Sequence, residues 1–469
     1  MKRQLLILPL ALAFLWGGCT LAPKYERPAA PVPAHWPAGP AYQEAKAPHS
    51  AQTVPDLPWR DFITDAHLRE IIEIALVNNR DLRVAALNVE RAKALYGIGR
   101  ASLLPSINAV GSWYQERIPA DLSSGGSAHT VEQYSVNLGM TSWEIDFFGR
   151  IRSLKDKALE EYFATDQALR GTQILLVSTV AQAYLALAAD REALQLVSKT
   201  LEAQEASYKM IRKRYEVGMI SELDLKRAQS QVDVARGDVA RYAQLVAQDE
   251  NGLNLLVGSP VRRDLIALDL GSVTEPRDIS PGLSSEPLLN RPDVLAAEHQ
   301  LKAANANIGA ARAAFFPRIT LTTSVGTASA ELSGLFKAGS GVWSFAPSIV
   351  MPIFDARTWY AYDVTKIDKQ MSVAQYEKAI QTAFREVADA LAVKGTVNRR
   401  IEAQQSLVDA LSITYRLSEA RYTKGVDSYL SVLDAQRSLY GAQQVLIMLH
   451  LARISNVIAL YKAMGGITS

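Results

Sequence analysis

The pentapeptide RYEVG at residues 214–218 recurs 207 residues later as RYTKG at residues 421–425. A second matched pair lies upstream, where NRDL at residues 79–82 corresponds to NRPD at residues 290–293. Self-similarity at a fixed separation is the signature of an internal duplication. The sequence therefore predicts two halves of the same design, each with a helix, two strands and a long helical hairpin.

The repeat divides the chain into five predicted segments. In chain order they are a signal peptide at residues 1–18, an N-terminal extended segment at 19–60, a first repeat at 61–270, a linker at 271–289 and a second repeat at 290–469. The linker is rich in Gly, Pro and Ser, which is typical of a connector. Nine prolines lie between Pro23 and Pro58, so we expect this stretch to be an irregular tether or strap rather than a domain.

The two predicted helical hairpins span residues 154–257 and 358–464. Heptad-like apolar residues run through the first, and it contains no proline. Its single break lies at residues 216–221, where Gly218 suits a helix C-cap and Ser221 an N-cap. Long amphipathic helices must pack side by side, either as a tunnel or as a soluble coiled-coil spacer.

Four segments show the period-2 alternation of strands with one apolar and one polar face. They lie at residues 106–115, 133–144, 319–325 and 343–351. About ten residues suffice to cross an outer membrane when tilted, although a soluble sheet with one wet face fits the pattern as well. Four strands cannot close a membrane barrel, whose known minimum is ~8. Membrane-spanning strands would therefore have to be pooled between copies, and closure alone allows a dimer or a trimer.

The N-terminus carries an export signal. Lys2 and Arg3 precede an apolar run of about a dozen residues, too short for a membrane-spanning helix, which needs ~20. Small residues lead to Cys19, which we interpret as a lipidation site, although Trp16 departs from the usual leucine. The alternative is a simple secretory signal followed by an unmodified thiol. No later segment has ~18 consecutive apolar residues, so no transmembrane helix is predicted.

Composition argues against several functional classes. The 50 basic and 48 acidic residues leave no basic footprint for nucleic acid. One cysteine forms no internal disulfide, and the six histidines have no metal-ligand spacing. Phosphate-binding, dinucleotide-binding and nucleophile-elbow motifs are missing from the sequence. We therefore predict no enzyme activity, no resident metal and no cofactor.

Four stretches carry a resemblance to a known family. They are NNRDLRVAALNV at residues 78–89, WEIDFFGR at 143–150, ANIGAARAAFFP at 306–317 and YLSVLDAQR at 429–437. The chain resembles the outer-membrane factors of the TolC superfamily, especially the OprM-like lipoproteins of multidrug efflux systems.

The resemblance implies an α+β membrane protein. Its fold would be a homotrimeric 12-stranded β-barrel, four strands per chain, continuing into a long α-helical barrel. The chain would be lipid-anchored in the outer membrane and extend into the periplasm. Its partners would be a periplasmic adaptor (membrane fusion) protein and an inner-membrane pump of the resistance-nodulation-division (RND) type. The duct would conduct drugs passively, with heavy-metal efflux or type I protein secretion as alternatives.

The resemblance also implies a gate just after the second hairpin turn. Leu430 and Asp434 are four residues apart and share a helix face, with Arg437 one turn further. In a trimer each would form a ring, and a carboxylate ring biases a pore toward cations. The alternative is that Asp434 and Arg437 form an ordinary surface pair. Weaker candidates for contacts that hold the gate closed are Tyr422, Arg421, Arg214 and Tyr215.

Overall fold

The computed structural model describes residues 20–42, 57–280, 282 and 284–466. The predicted signal peptide and the candidate lipidation site Cys19 lie outside these residues. Helices and strands follow in the order α1 (Trp59–Phe62), α2 (Ala66–Asn78), α3 (Arg80–Ala101), β1 (Asn108–Ile118), β2 (His129–Glu144), α4 (Arg150–Glu216), α5 (Glu222–Val257), α6 (Pro292–Ala313), β3 (Arg318–Ser329), β4 (Gly341–Val350), α7 (Ala356–Thr423) and α8 (Tyr429–Ala463).

The described residues divide into two compact units. The first contains the residues up to Ala29 together with Asn88–Thr165 and Ala296–Tyr376, and so includes all four strands. The second contains Ala30–Leu87, Asp166–Leu295 and Glu377–Ser469, and so includes both hairpin turns. Each unit takes segments from both halves of the sequence.

The two long hairpins form as their sequences predict, and their turns share one geometry. Gly218 and Gly425 end the first helix of each hairpin with positive φ angles of 75° and 73°. In each turn the glycine N–H and the following N–H donate to carbonyls of the preceding helical turn, which satisfies groups that a helix end leaves free. The Ser221 hydroxyl accepts from the Asp224 N–H at 3.2 Å and caps α5. The glycine of the repeated pentapeptide therefore ends the first helix of the hairpin in the same way in both halves.

The four strands form one antiparallel sheet in the order β1-β2-β3-β4. β1 begins at Asn108 rather than at residue 106, and β2 begins at His129 rather than at 133. Ladder pairing from Asn108↔Gly139 to Ile118↔His129 extends both strands into polar sequence where alternation gives no signal. A bulge between Met140 and Trp143 shifts the register of β2 against β3, and Ser142 there has a φ of 54°.

The pairing places the apolar side chains on one face of the sheet. Leu138 lies opposite Val325, which lies opposite Trp343, and these side chains are 52%, 61% and 78% exposed. The other face is polar and hydrogen-bonded across strands, as in Ser112 to Ser135 at 2.7 Å. Soluble monomers rarely expose a large apolar face, and such a face marks a surface that contacts lipid or protein.

Two glycines on the polar face allow β2 and β3 to approach closely. A Cβ added at Gly326 would lie 2.1 Å from the Val136 carbonyl oxygen, and one at Gly139 would lie 2.3 Å from the Thr323 carbonyl oxygen. Both neighbours are backbone atoms and cannot turn away. The close pairing at the middle of the sheet therefore depends on glycine at both positions.

The N-terminal segment follows the surface as a strap in both units. In the first unit the Asn305 amide donates to the Pro23 carbonyl oxygen at 2.7 Å, and Glu298 accepts from Tyr25 and Arg27. The side chain of Glu298 is only 3% exposed, so its charge depends on these donors. In the second unit the ring of Trp36 stacks on Phe384 with centroids 5.3 Å apart. The described part of the N-terminal segment therefore contacts helices in each unit.

Helices α4 and α8 are apolar enough to cross a membrane by length and composition alone, where the sequence predicts no such helix. Eighteen-residue windows in α4 and α8 reach a mean hydropathy of 1.5 and 1.4 with at most two charged residues. These windows are 61% and 39% buried within the chain. Core helices also reach this apolarity, because their side chains pack against other protein segments.

Candidate functional site

The predicted gate lies at the hairpin tip, which we define as residues 208–228 of the first hairpin and 415–437 of the second. The buried core of the tip is formed by Ile211, Ala228, Tyr429, Val432 and Leu433. These five residues come from α4, α5 and α8, and Tyr415 and Tyr422 of α7 pack against them. Apolar packing therefore joins the two turns into one structure.

Two of the weaker candidates meet inside this tip. The guanidinium carbon of Arg214 lies 5.2 Å from the centroid of the Tyr422 ring, a cation–π contact between the hairpins. The Tyr422 ring also packs on Tyr429 at 5.2 Å, and burial raises the pKa of Tyr429. The buried Tyr422 hydroxyl has no hydrogen-bond partner among the described residues.

The other two weaker candidates lie at the periphery. Arg421 pairs with Asp427 across the second turn, with Nε 2.5 Å from Oδ2, and this pair lowers the pKa of Asp427. The pair is solvent-exposed and closes the turn within its own hairpin. Tyr215 is 38% exposed and lies outside the apolar core of the tip.

Leu430, Asp434 and Arg437 form one exposed stripe on α8. The intervening residues Val432 and Leu433 are buried, so the helix turns its apolar side to the tip core and this stripe away from it. Among the described residues no ion pair joins Asp434 to Arg437, in contrast to the surface-pair alternative. The tip thus presents an apolar, an acidic and a basic side chain in a row along one helix face.

Sequence reasoning missed the aromatic core of the tip. Tyr415 and Tyr422 are spaced by seven residues on α7, and Tyr208 and Tyr215 repeat the interval on α4. A seven-residue interval returns a side chain to the same helix face, so this spacing was the available signal.

A second missed feature is a carboxyl pair between α4 and α5. Asp190 lies next to Asp249, and burial together with the Asp190 carboxylate raises the pKa of Asp249 to about 6. Burial also raises the pKa of Asp190. The next residues along each helix form an ion pair, with Arg191 Nη2 2.7 Å from Glu250 Oε1. Two neighbouring carboxyl groups of this kind hold one proton between them below about pH 6.

This pair predicts a pH-dependent stability. Because the folded state raises the pKa of Asp249 from 3.8 to about 6, it binds a proton that the unfolded chain releases in that interval. The stabilisation is present below pH 4 and is lost as pH rises through 6. We expect Asp249→Asn to remove this dependence and to raise the free energy of unfolding at pH 7.5 by about 1 kcal/mol.

Thermal unfolding of the purified protein in detergent at pH 5 and pH 7.5 measures the effect. Asp233→Asn is the matched control, because its exposed carboxylate lies on the same helix. Parallel pH profiles for wild type and Asp249→Asn would contradict the shared proton.

Comparison with known proteins identifies the family. The model of the family described as "Outer membrane efflux protein" matches residues 71–259 and 283–466. The chain is 47% identical to the probable efflux pump outer membrane protein TtgC of Pseudomonas putida, over 99% of this chain and 96% of TtgC. It is 42% identical to the outer membrane protein OprJ of Pseudomonas aeruginosa, over 97% and 95% of the two chains.

Solved structures agree with this assignment. The open state of the MtrE outer membrane channel of Neisseria gonorrhoeae superposes with a TM-score of 0.84 at 39% identity, covering 96% of this chain and 98% of MtrE. A membrane protein from Pseudomonas aeruginosa gives a TM-score of 0.88 at 42% identity, with coverages of 96% and 98%. The family has a transport role in the outer membrane. The chain therefore belongs to the outer membrane efflux protein family, as an OprM-like outer-membrane factor of the TolC superfamily.

Proposed function

We propose that the chain is one subunit of a trimeric exit duct that conducts small molecules passively out of the cell as part of a tripartite RND-type pump. The observation that carries the proposal is the sheet, whose apolar face is bare and whose outer strands β1 and β4 have no further partner strand among the described residues. In lipid, every backbone group needs a partner, so such a sheet must close with others. Three copies give twelve strands around a polar lumen.

The remaining parts of the duct follow from the hairpins. In this proposal the four long helices of each chain pack with those of the other copies into a helical barrel that continues the β-barrel into the periplasm. The two halves, at residues 61–270 and 290–469, would be copies of one ancestral unit. A lipid on Cys19 would anchor the strap to the membrane.

The gate of the proposed duct is the stripe of Leu430, Asp434 and Arg437. In three copies Leu430 would form an apolar constriction and Asp434 a ring of three carboxylates, which favours cations. The contact of Arg214 with Tyr422 would help to hold the hairpins together in the closed state. Opening would break such contacts and let the tips splay apart, after docking of the adaptor.

Small organic molecules are the proposed cargo. Relatives at 47% or 48% identity are described as toluene, solvent and antibiotic efflux pump proteins of Pseudomonas putida. Heavy-metal efflux and type I protein secretion remain the alternatives within the same architecture. The eight methionines are mostly isolated in the sequence, so they do not favour a thioether track for soft metals.

Export from the host tests this proposal. The gene is deleted and restored on a plasmid, and the accumulation of ethidium and the susceptibility to antibiotics and toluene are measured. We expect deletion to raise accumulation and susceptibility and the wild-type gene to reverse both. Unchanged susceptibility together with retention of a secreted protein or a metal ion would assign the duct to one of the alternatives.

A further inference from the structure

Four polar side chains join α5 and α8 beyond the tip. The Tyr440 hydroxyl donates to Asp238 Oδ2 at 3.2 Å, and the Gln444 amide donates to the Tyr242 hydroxyl at 3.1 Å. Gln444 also donates to the Tyr440 hydroxyl at 2.8 Å, so the contacts form one network, which we call the polar bridge. The helix that carries the gate stripe is therefore tied to the first hairpin about 15 Å from Leu430, at 1.5 Å per residue.

A glycine lies beside the polar bridge on each helix. Gly237 precedes Asp238 on α5, and Gly441 follows Tyr440 on α8. A Cβ added at either position meets no atom within 4 Å. By contrast, Gly395 on α7 is required by packing, because its Cβ would lie 2.1 Å from the Ala41 carbonyl oxygen.

Packing among the described residues therefore does not explain why glycine stands at 237 and 441. Glycine stabilises a helix less than alanine does, because its backbone can adopt many non-helical conformations. Glycine therefore gives positions 237 and 441 a backbone that can bend.

The polar bridge also separates two zones of apolar contact along α8. Toward the turn, Tyr429, Val432 and Leu433 pack in the tip core. On the other side, Ile447 and Leu449 begin the deeply buried part of the helix. Apolar contacts are lost when two helix surfaces separate. Long polar side chains can instead change rotamer and keep their hydrogen bonds while the angle between the helices changes.

We propose that Gly237 and Gly441 form a paired hinge, with the polar bridge as its pivot, about which residues 429–440 of α8 swing to open the gate. The inference rests on the proposed function, because it assigns the motion that moves Leu430 and Asp434. The polar bridge keeps α8 in contact with α5 at Tyr440 and Gln444. Residues 429–440 of α8 bend away while this contact is kept. These residues are positioning residues, since they act through the gate stripe.

Alanine substitutions test the hinge without creating a clash. From the helix propensity difference, each Gly→Ala change favours the straight helix about fivefold, and both together about 25-fold. We expect Gly441→Ala to lower ethidium export and Gly237→Ala/Gly441→Ala to lower it further. Thermal stability of the trimer should be unchanged or higher. Gly252→Ala is the matched control, because Gly252 lies on α5 with equally open space but away from the polar bridge.

A second measurement separates the hinge from the duct itself. Potassium chloride currents through the protein in a planar bilayer are compared for Gly237→Ala/Gly441→Ala with and without Leu430→Ala/Asp434→Ala. We expect few openings with the alanine hinge alone and restored current in the combined variant, since the constriction is then removed without a swing. A failed duct gives no current in the gate variant with the natural glycines either.

Two results would overturn the hinge. One is export by Gly237→Ala/Gly441→Ala equal to that of wild type at equal protein levels. The other is a lower heat stability of the trimer in Gly441→Ala, which would mean that the glycine accommodates a neighbouring copy.

Discussion

We expect the Gly326→Val variant to be missing from the outer membrane. A Cβ at residue 326 would lie 2.1 Å from the Val136 carbonyl oxygen and 2.7 Å from the Asn137 Cα. Both are backbone atoms of the paired strand, so β2 and β3 would have to separate in the middle of the sheet. We expect a cost of about 3 kcal/mol or more in each copy, because a well-packed site cannot accept this volume.

Fractionation and gel mobility of unheated samples measure the outcome. A heat-modifiable oligomer should be present for wild type and lost for Gly326→Val. Gly111→Val is the matched control, since Gly111 lies in the neighbouring strand β1 and an added Cβ meets no atom within 4 Å. Equal amounts of oligomer for both variants would show that the close approach of β2 and β3 is not required.

The second large effect is expected from the double variant Leu430→Ala/Asp434→Ala. Under the proposed function it removes the apolar constriction and the carboxylate ring at once, so the duct should leak without its partners. We expect a several-fold higher ion conductance in planar bilayers and greater susceptibility to antibiotics that the closed duct excludes. Ser431→Ala is the control, because Ser431 is exposed beside Leu430 but lies off the stripe.

Charge reversal isolates the contribution of Asp434. The Asp434→Lys variant should lose the preference for cations, which reversal potentials in unequal potassium chloride concentrations report. Unchanged conductance, ion preference and drug export in this variant would argue strongly against a gate at this position.

The elements of the fold were largely predictable because their signals are local. The alternation of residues 319–325 and 343–351 predicted β3 and β4, and Gly218 predicted where α4 ends. Strand and helix periods depend only on neighbours in sequence. The resemblance, carried by stretches such as YLSVLDAQR at residues 429–437, predicted the family that the comparisons then confirmed.

The structure decided what depends on distant residues. Asp190 and Asp249 are 59 positions apart, and only the packing of α4 on α5 makes them share a proton. The bulge after Met140 arises from the pairing of β2 with β3, which alternation cannot report. The polar bridge joins residues about 200 positions apart, such as Asp238 and Tyr440. Local periodicity therefore determined the elements, and the resemblance of whole stretches determined the family. Long-range packing decided the register of the sheet, the titration of the carboxyl pair and the contacts that position the proposed gate stripe.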